Sequence, residues 1–301
     1  MIDYIRNAGF SVATLVTIAW LALTPSLAAY ETIEVNGTRL SYIEEGEGKP
    51  VLFVPPAIAD LRIWEAQRRA VAPHYRFVSY TQRYYGNAPW PDNGEGFSAA
   101  SHAADLAALI EALDLAPAHL VGWSYSGEVI TLMGLKHPEL VRSMVLFEPA
   151  IPSLIADLDA ALPALKERGE MFAPAIAAVD AGDLERAVRL FLEAVFKLPP
   201  GGFDSMPAEL RQMWLEQGRT IPAAMAAPKP AITCEYLGAI PYPTLILQGE
   251  ETHAFYSLVA ETMAGCLPGS ERQLIGNANH GGPMLNGDAV NAAILDFLEQ
   301  H

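Results

Sequence analysis

A mostly parallel α/β sheet with helices on both faces and an inserted helical segment is the fold class this sequence predicts, and three observations predict it. Apolar runs of strand length alternate with helical patterns over the first 150 residues and again near the C-terminus, which is the pattern of βαβ units and a parallel sheet. One of those strands runs straight into a turn of small residues with a serine at its apex, Ala118-His119-Leu120-Val121-Gly122-Trp123-Ser124-Tyr125-Ser126-Gly127. Between about Ile151 and Pro241 the alternation stops and Ala-, Leu- and Met-rich helical runs replace it.

The elements follow in order. Thr32–Val35 and Arg39–Glu44 alternate apolar and polar residues around Asn36-Gly37, a hairpin signal. Val51–Val54 and Arg76–Tyr80 read as the next strands, with a helical pattern over Arg62–Ala72 between them. A turn-rich loop, Arg83-Tyr84-Tyr85-Gly86-Asn87 with Pro89 to Gly94, leads to a helix over Ser98–Leu115. His102 and Asp105 in that helix read as ordinary helix surface and first turn. The elbow strand, a helix over Gly127–His137 and a strand over Ser143–Phe147 come next. In the middle region helices are predicted over Leu154–Glu167, Ala173–Ala178, Leu184–Lys197 and Ala208–Gln217, punctuated by prolines. A helix over Ala289–Leu298 closes the chain.

Ser124 is the candidate nucleophile. A strand-to-helix turn needs small residues two before and two after the nucleophile, because helix and strand pack there. Gly122 and Ser126 fill those places, giving G-x-S-x-S. Ser126 is the weaker choice, since Glu128 would then occupy a crowded small-residue position. A serine of this kind needs an acid and then a histidine further along the chain. The Gly/Asn loop Gly276-Asn277-Ala278-Asn279-His280-Gly281-Gly282 supplies His280 near the C-terminus.

With these residues in view the chain resembles the α/β-hydrolase superfamily, specifically its capped members, from about Glu31 to the C-terminus. Val51 to Pro56 resembles the strand before the oxyanion loop, Lys136 to Pro149 the helix end and strand behind the elbow, and Pro243 to Glu250 the penultimate strand. The resemblance implies an α/β-hydrolase fold with a first part of the core (29–150), a helical cap (151–241) and a second part of the core (242–301); residues 1–28 read separately as a signal peptide. It also implies that the common acid position, three residues after Gly249, is Thr252, which holds no charge. Some relatives place the acid after the strand behind the elbow helix instead. Glu148 stands there, 24 residues beyond Ser124; Glu250 or Glu251 is the alternative. The oxyanion hole is expected from the backbone N–H of Tyr125, the residue after the nucleophile, and of Ala57. Pro55-Pro56 stands where relatives usually carry His-Gly, and proline offers no N–H.

The resemblance implies a serine hydrolase that cleaves a small, mainly apolar carboxylic ester or lactone through an acyl-enzyme. Ser124, Glu148 and His280 are the expected triad. The apolar residues Met171, Phe172, Phe191, Phe196, Phe203, Met213 and Trp214 are candidates for the inner face of the cap. A carbon–carbon bond hydrolase with the same triad and a low-turnover ligand-binding homologue are the alternatives. A haloperoxidase-like side activity would use the same residues. Serine at the elbow disfavours epoxide hydrolase or dehalogenase chemistry, which uses aspartate there.

The N-terminus carries no charge from Asn7 to Tyr30, is mostly apolar over Val12–Leu23 and ends in Pro25-Ser26-Leu27-Ala28-Ala29. This reads as a secretory signal cleaved after Ala28 or Ala29, placing the protein in the periplasm or outside the cell. An uncleaved N-terminal membrane anchor is the alternative. The remainder, about 270 residues, suits one core with an insertion. A net charge of −16 without a basic cluster argues against nucleic-acid or anionic-membrane partners and leaves a small-molecule substrate. No Cys/His spacing suggests a metal site, and no cofactor is expected. Cys234 and Cys266, the only cysteines, either pair or stand as two buried thiols. The sequence carries no signal for oligomeric state.

Overall fold

The computed structural model describes residues 30–301; the segment read as a signal peptide lies outside them. The chain opens with a hairpin, β1 Glu31–Val35 and β2 Thr38–Glu45. Asn36 and Gly37 at its tip both have positive φ (45° and 70°), the conformation a two-residue turn between twisted strands requires. The strands β3 Pro50–Val54, β4 Arg76–Tyr80, β5 Ala118–Trp123, β6 Val141–Phe147, β7 Thr244–Gly249 and β8 Glu271–Ile275 complete one sheet in the order β1-β2-β4-β3-β5-β6-β7-β8. From β4 onward all pairs are parallel; β1–β2 and β2–β4 are antiparallel.

The central strands are buried along nearly their whole length, as strands covered on both faces must be. Successive residues point to opposite faces. Leu52, Leu120, Met144 and Leu146 thus join one apolar core, while Phe53, Val121, Val145 and Phe147 join the other. The first core lies against α2 Ala99–Ala112, α3 Ser126–Lys136 and α9 Ala254–Cys266, and the second against α1 Glu65–Val71 and α10 Gly287–Gln300. β8 ends the sheet with four exposed residues out of five, two of them charged, a common way to blunt an open edge.

Between β6 and β7 the chain leaves the sheet for α4 Leu162–Asp180, α5 Leu184–Val195, α6 Ala208–Gln217 and the short α7 Ile221–Ala226 and α8 Cys234–Leu237. Two expectations need correcting here. The helix predicted over Leu154–Glu167 begins only at Leu162, after two short 3₁₀ turns. It then absorbs the run predicted separately at Ala173–Ala178, because α4 continues through Pro174. Cys234 and Cys266 form a disulfide between the start of α8 and the end of α9. The bond ties the last helix of the insertion to the core.

Candidate active site

The elbow is built by close packing. A side chain on Gly122 would come within 2.5 Å of Ile130 Cδ1, and one on Gly127 within 2.5 Å of Pro149 Cβ. Ser126 is buried; its hydroxyl accepts a hydrogen bond from Trp123 N–H (2.7 Å) and donates to Trp123 O (2.9 Å). That hydroxyl closes the turn and is unavailable for other chemistry. Ser124 at the apex is partly exposed and held at φ +57°, a strained value for a residue with a Cβ. Its N–H donates to Phe147 O (3.0 Å), and its carbonyl accepts from Gly127 N–H (2.9 Å) and Ala150 N–H (3.0 Å).

Sheet register explains how Glu148 comes near the elbow. β5 and β6 are parallel neighbours with Trp123 opposite Phe147, so the next residues, Ser124 and Glu148, leave the same end of the sheet side by side. Glu148 has φ +43° and is fully buried. Its carboxylate accepts Gly249 N–H at Oε1 (2.8 Å), and at Oε2 it accepts the Thr252 hydroxyl (2.7 Å) and His280 Nδ1 (2.7 Å). A carboxylate only accepts, so Nδ1 carries the proton and the lone pair lies on Nε2. No described residue, Ser124 included, is hydrogen-bonded to that Nε2. Such contacts are often long before substrate binds. The imidazole lies 6.0 Å from the Trp123 ring and stacks on Tyr256 at 3.8 Å, with 12° between planes.

The loop that carries His280 is pinned on both sides. Asn279 donates through Nδ2 to Phe196 O (2.7 Å) and accepts Gly281 N–H (2.8 Å). A side chain on Gly282 would strike the Phe147 ring. Glu250 and Glu251 are exposed. Glu250 accepts Asn277 N–H at 3.3 Å, and neither carboxylate is bonded to His280. Thr252, noted in the sequence only for its lack of charge, is thus a donor to the buried Glu148.

Ala57 lies partly exposed in the turn after β3, next to Ile58 at φ +48°. Pro55 contributes its carbonyl, which accepts Gln82 Nε2 (2.9 Å). The backbone N–H groups of Ala57 and Tyr125 donate to no described residue.

Behind Tyr125 the structure corrects the reading of α2. His102 and Asp105 are buried, at 0% and 1% exposure. Asp105 takes a two-pronged pair from Arg83 (both 2.7 Å) and a bond from Asn36 Nδ2 (3.0 Å). His102 Nε2 lies 3.1 Å from Arg83 O and Nδ1 2.7 Å from the Tyr125 hydroxyl. A carbonyl accepts only, so Nε2 carries the proton and the Tyr125 hydroxyl donates to Nδ1. Burial drives the His102 pKa down to about 3, so the ring is neutral. The sequence signal for this network was the run Arg83-Tyr84-Tyr85, with a carboxylate and an imidazole three residues apart on α2.

The insertion lies against the same end of the sheet. Phe196 stacks on Trp123 (6.1 Å between centroids, 22°), and Phe196, Phe203, Met213 and Trp214 are buried in the core that holds Trp123. Met171, Phe172 and Phe191 are partly buried against it. Gln217 of α6 donates to Asp60 Oδ2 (3.0 Å) and accepts Gly86 N–H (2.7 Å), fastening the insertion to the loops after β3 and β4. A cleft of about 1340 Å³ runs past Leu61, Trp64, Leu210 and Met213. Its polar lining includes Arg62, Glu65 and Arg68 but none of Ser124, Glu148 or His280, so it is not where the bonded His–Glu pair acts.

Comparison with known proteins agrees with this architecture. Residues 49–286 match the family model described as the alpha/beta hydrolase fold. A Mycobacterium tuberculosis protein, BpoC, provisionally named a non-heme bromoperoxidase, is 37% identical over 109 residues; the match spans 36% of this chain and 40% of that protein. Est816, described as an N-acyl homoserine lactone degrading enzyme, superposes with a TM-score of 0.71 at 23% identity, over 89% of this chain and 100% of its own. A thermophilic esterase from Thermogutta terrifontis superposes with a TM-score of 0.68 at 23% identity, over 91% and 99%. With four fifths of its length under the family model and the elbow and loops where that fold puts its chemistry, the chain belongs to the α/β hydrolase fold family.

Proposed function

We propose that this protein is a serine hydrolase that cleaves a small, mainly apolar carboxylic ester or lactone through an acyl-enzyme. The observation that carries the reading is the buried 2.7 Å bond from His280 Nδ1 to Glu148, which leaves Nε2 as a base beside the Ser124 elbow. His280 takes the Ser124 proton as Oγ attacks the carbonyl, and Glu148 stabilises the imidazolium that forms. The N–H groups of Ala57 and Tyr125 hold the oxyanion of the tetrahedral intermediate. His280 then protonates the leaving alcohol, and water deprotonated by the same nitrogen releases the acid. The insertion acts as a cap whose aromatic residues favour an apolar acyl or alcohol group. That the superposed structures include an esterase and a lactone-degrading enzyme supports the substrate class.

The test is turnover of a chain-length series of nitrophenyl esters and of simple lactones, with Ser124→Ala alongside. Hydrolysis that disappears in the variant supports the reading. A wild-type protein no faster than the variant on every member sinks it. We also propose that the enzyme is exported and cleaved after Ala28 or Ala29: a purified mature N-terminus at Ala29 or Tyr30 supports this, and a retained Met1 overturns the cleavage.

A further inference from the structure

The face of the His280 ring has a partner that the triad reading leaves unused. Tyr256, the third residue of α9, lies parallel to the imidazole with ring centroids 3.8 Å apart and 12° between planes. Tyr256 is buried, and burial holds its phenol well above the ordinary range. It therefore presents a neutral aromatic face and never a phenolate. The edge of the imidazole belongs to Glu148 through Nδ1; the face belongs to Tyr256.

An aromatic face is negative at its centre and attracts a cation placed over it. A neutral imidazole gains little from this, and an imidazolium gains more. In the reaction proposed above, His280 is neutral when substrate binds and cationic at the tetrahedral transition state. An interaction that strengthens only there raises kcat without tightening substrate binding. We propose that Tyr256 is a positioning residue for His280: its ring fixes the plane of the imidazole and stabilises the imidazolium formed during turnover. This inference rests on the serine hydrolase reading.

Other groups around the pair set the background against which the effect is read. Glu148 at the end of β6 faces the Nδ1 edge, and Trp123 of β5 lies 6.0 Å away on another side. His253, the residue just before α9, lies 6.4 Å from the Tyr256 ring, with Nδ1 3.1 Å from Glu167 of α4. Arg168 of α4 sits with its guanidinium 4.8 Å over Phe255, within electrostatic range of Tyr256. None of these groups is changed by replacing Tyr256.

The experiment is a shape-conserving series at position 256. Tyr256→Phe is the reference, followed by phenylalanines carrying one, three and five ring fluorines, which progressively cancel the negative face. Tyr256→Leu removes it altogether. Ester turnover is measured for each against pH, with thermal unfolding as a check on folding. Expected is a stepwise fall in kcat with fluorination at nearly constant KM, reaching about 3- to 30-fold, the range a cation–π contact spans. The acid limb of the profile, where the base is lost to protonation, moves stepwise to lower pH because the imidazolium loses support. The fluorinated series keeps the test open even where the leucine variant does not fold. A flat series in kcat and in the acid limb overturns the inference while leaving the hydrolase reading intact. Hydrolysis that survives in Ser124→Ala overturns the reading beneath it.

Discussion

Two buried histidines flank the elbow, and they are wired in opposite ways. His280 bonds a carboxylate through Nδ1, its Nε2 has no partner among the described residues, and an aromatic face lies flat against the ring. His102 has both nitrogens occupied, one by a carbonyl and the other by the Tyr125 hydroxyl, and its ring edge meets Phe97 at 4.9 Å. Burial is nearly identical, at 3% and 0% exposed. What separates a base from a brace is therefore the chemistry of the partners. A carboxylate stabilises the protonated ring and leaves one nitrogen free to accept a proton. A carbonyl and a hydroxyl satisfy a neutral ring completely, and burial then resists any charge.

The contrast can be broken most sharply at the histidines themselves. His280→Gln is expected to lower ester turnover by about 10⁴-fold or more. His102→Gln should keep measurable turnover and instead lose about 1–3 kcal/mol of stability through its broken hydrogen bonds. Comparing kcat with denaturant unfolding for both variants checks this, and equal losses of turnover would erase the distinction. Glu148→Gln comes next, with a fall of about 10³- to 10⁴-fold, because an amide neither fixes the tautomer nor stabilises the imidazolium.

Stability against pH sharpens the comparison further. His102 titrates near 6.5 when unfolded and at about 3 when folded. Between those values the unfolded chain binds a proton that the folded protein refuses. Stability should therefore be full above about pH 6.5 and fall as pH drops toward 3, with a slope of at most about 1.4 kcal/mol per pH unit from this group. Unfolding free energies measured over that window should be flatter in His102→Gln than in wild type. An unchanged slope would mean the ring is already protonated when folded.

Smaller effects belong to the supports of Glu148. Thr252→Val removes the hydroxyl that donates to Oε2 and should cost about 1–2 kcal/mol of stability with a several-fold fall in kcat; Thr252→Ser should restore most of both. Glu251→Gln changes an exposed carboxylate away from His280 and should leave turnover within about twofold. A large loss there would move the acid assignment from Glu148 to the loop after β7.

Local sequence determined a good deal of this protein. Asn36-Gly37 specifies the hairpin tip, because both residues tolerate positive φ. The alternation of apolar strands with helices specifies a parallel sheet, and the small residues flanking Ser124 specify the elbow, since all of these follow from near neighbours in the chain. Assembly through space decided the rest. α4 runs unbroken from Leu162 to Asp180 through Pro174, where the sequence read two separate helices, because packing against α5 and α9 outweighs the missing N–H. Glu148, Thr252 and His280 follow three separate strands, and only the register of β6, β7 and β8 carries them together. His102 and Asp105 look like helix surface in one dimension, since polar residues at helical spacing usually face water. They are buried because Arg83 and Tyr125, from other loops, supply the charges and hydrogen bonds that make burial tolerable.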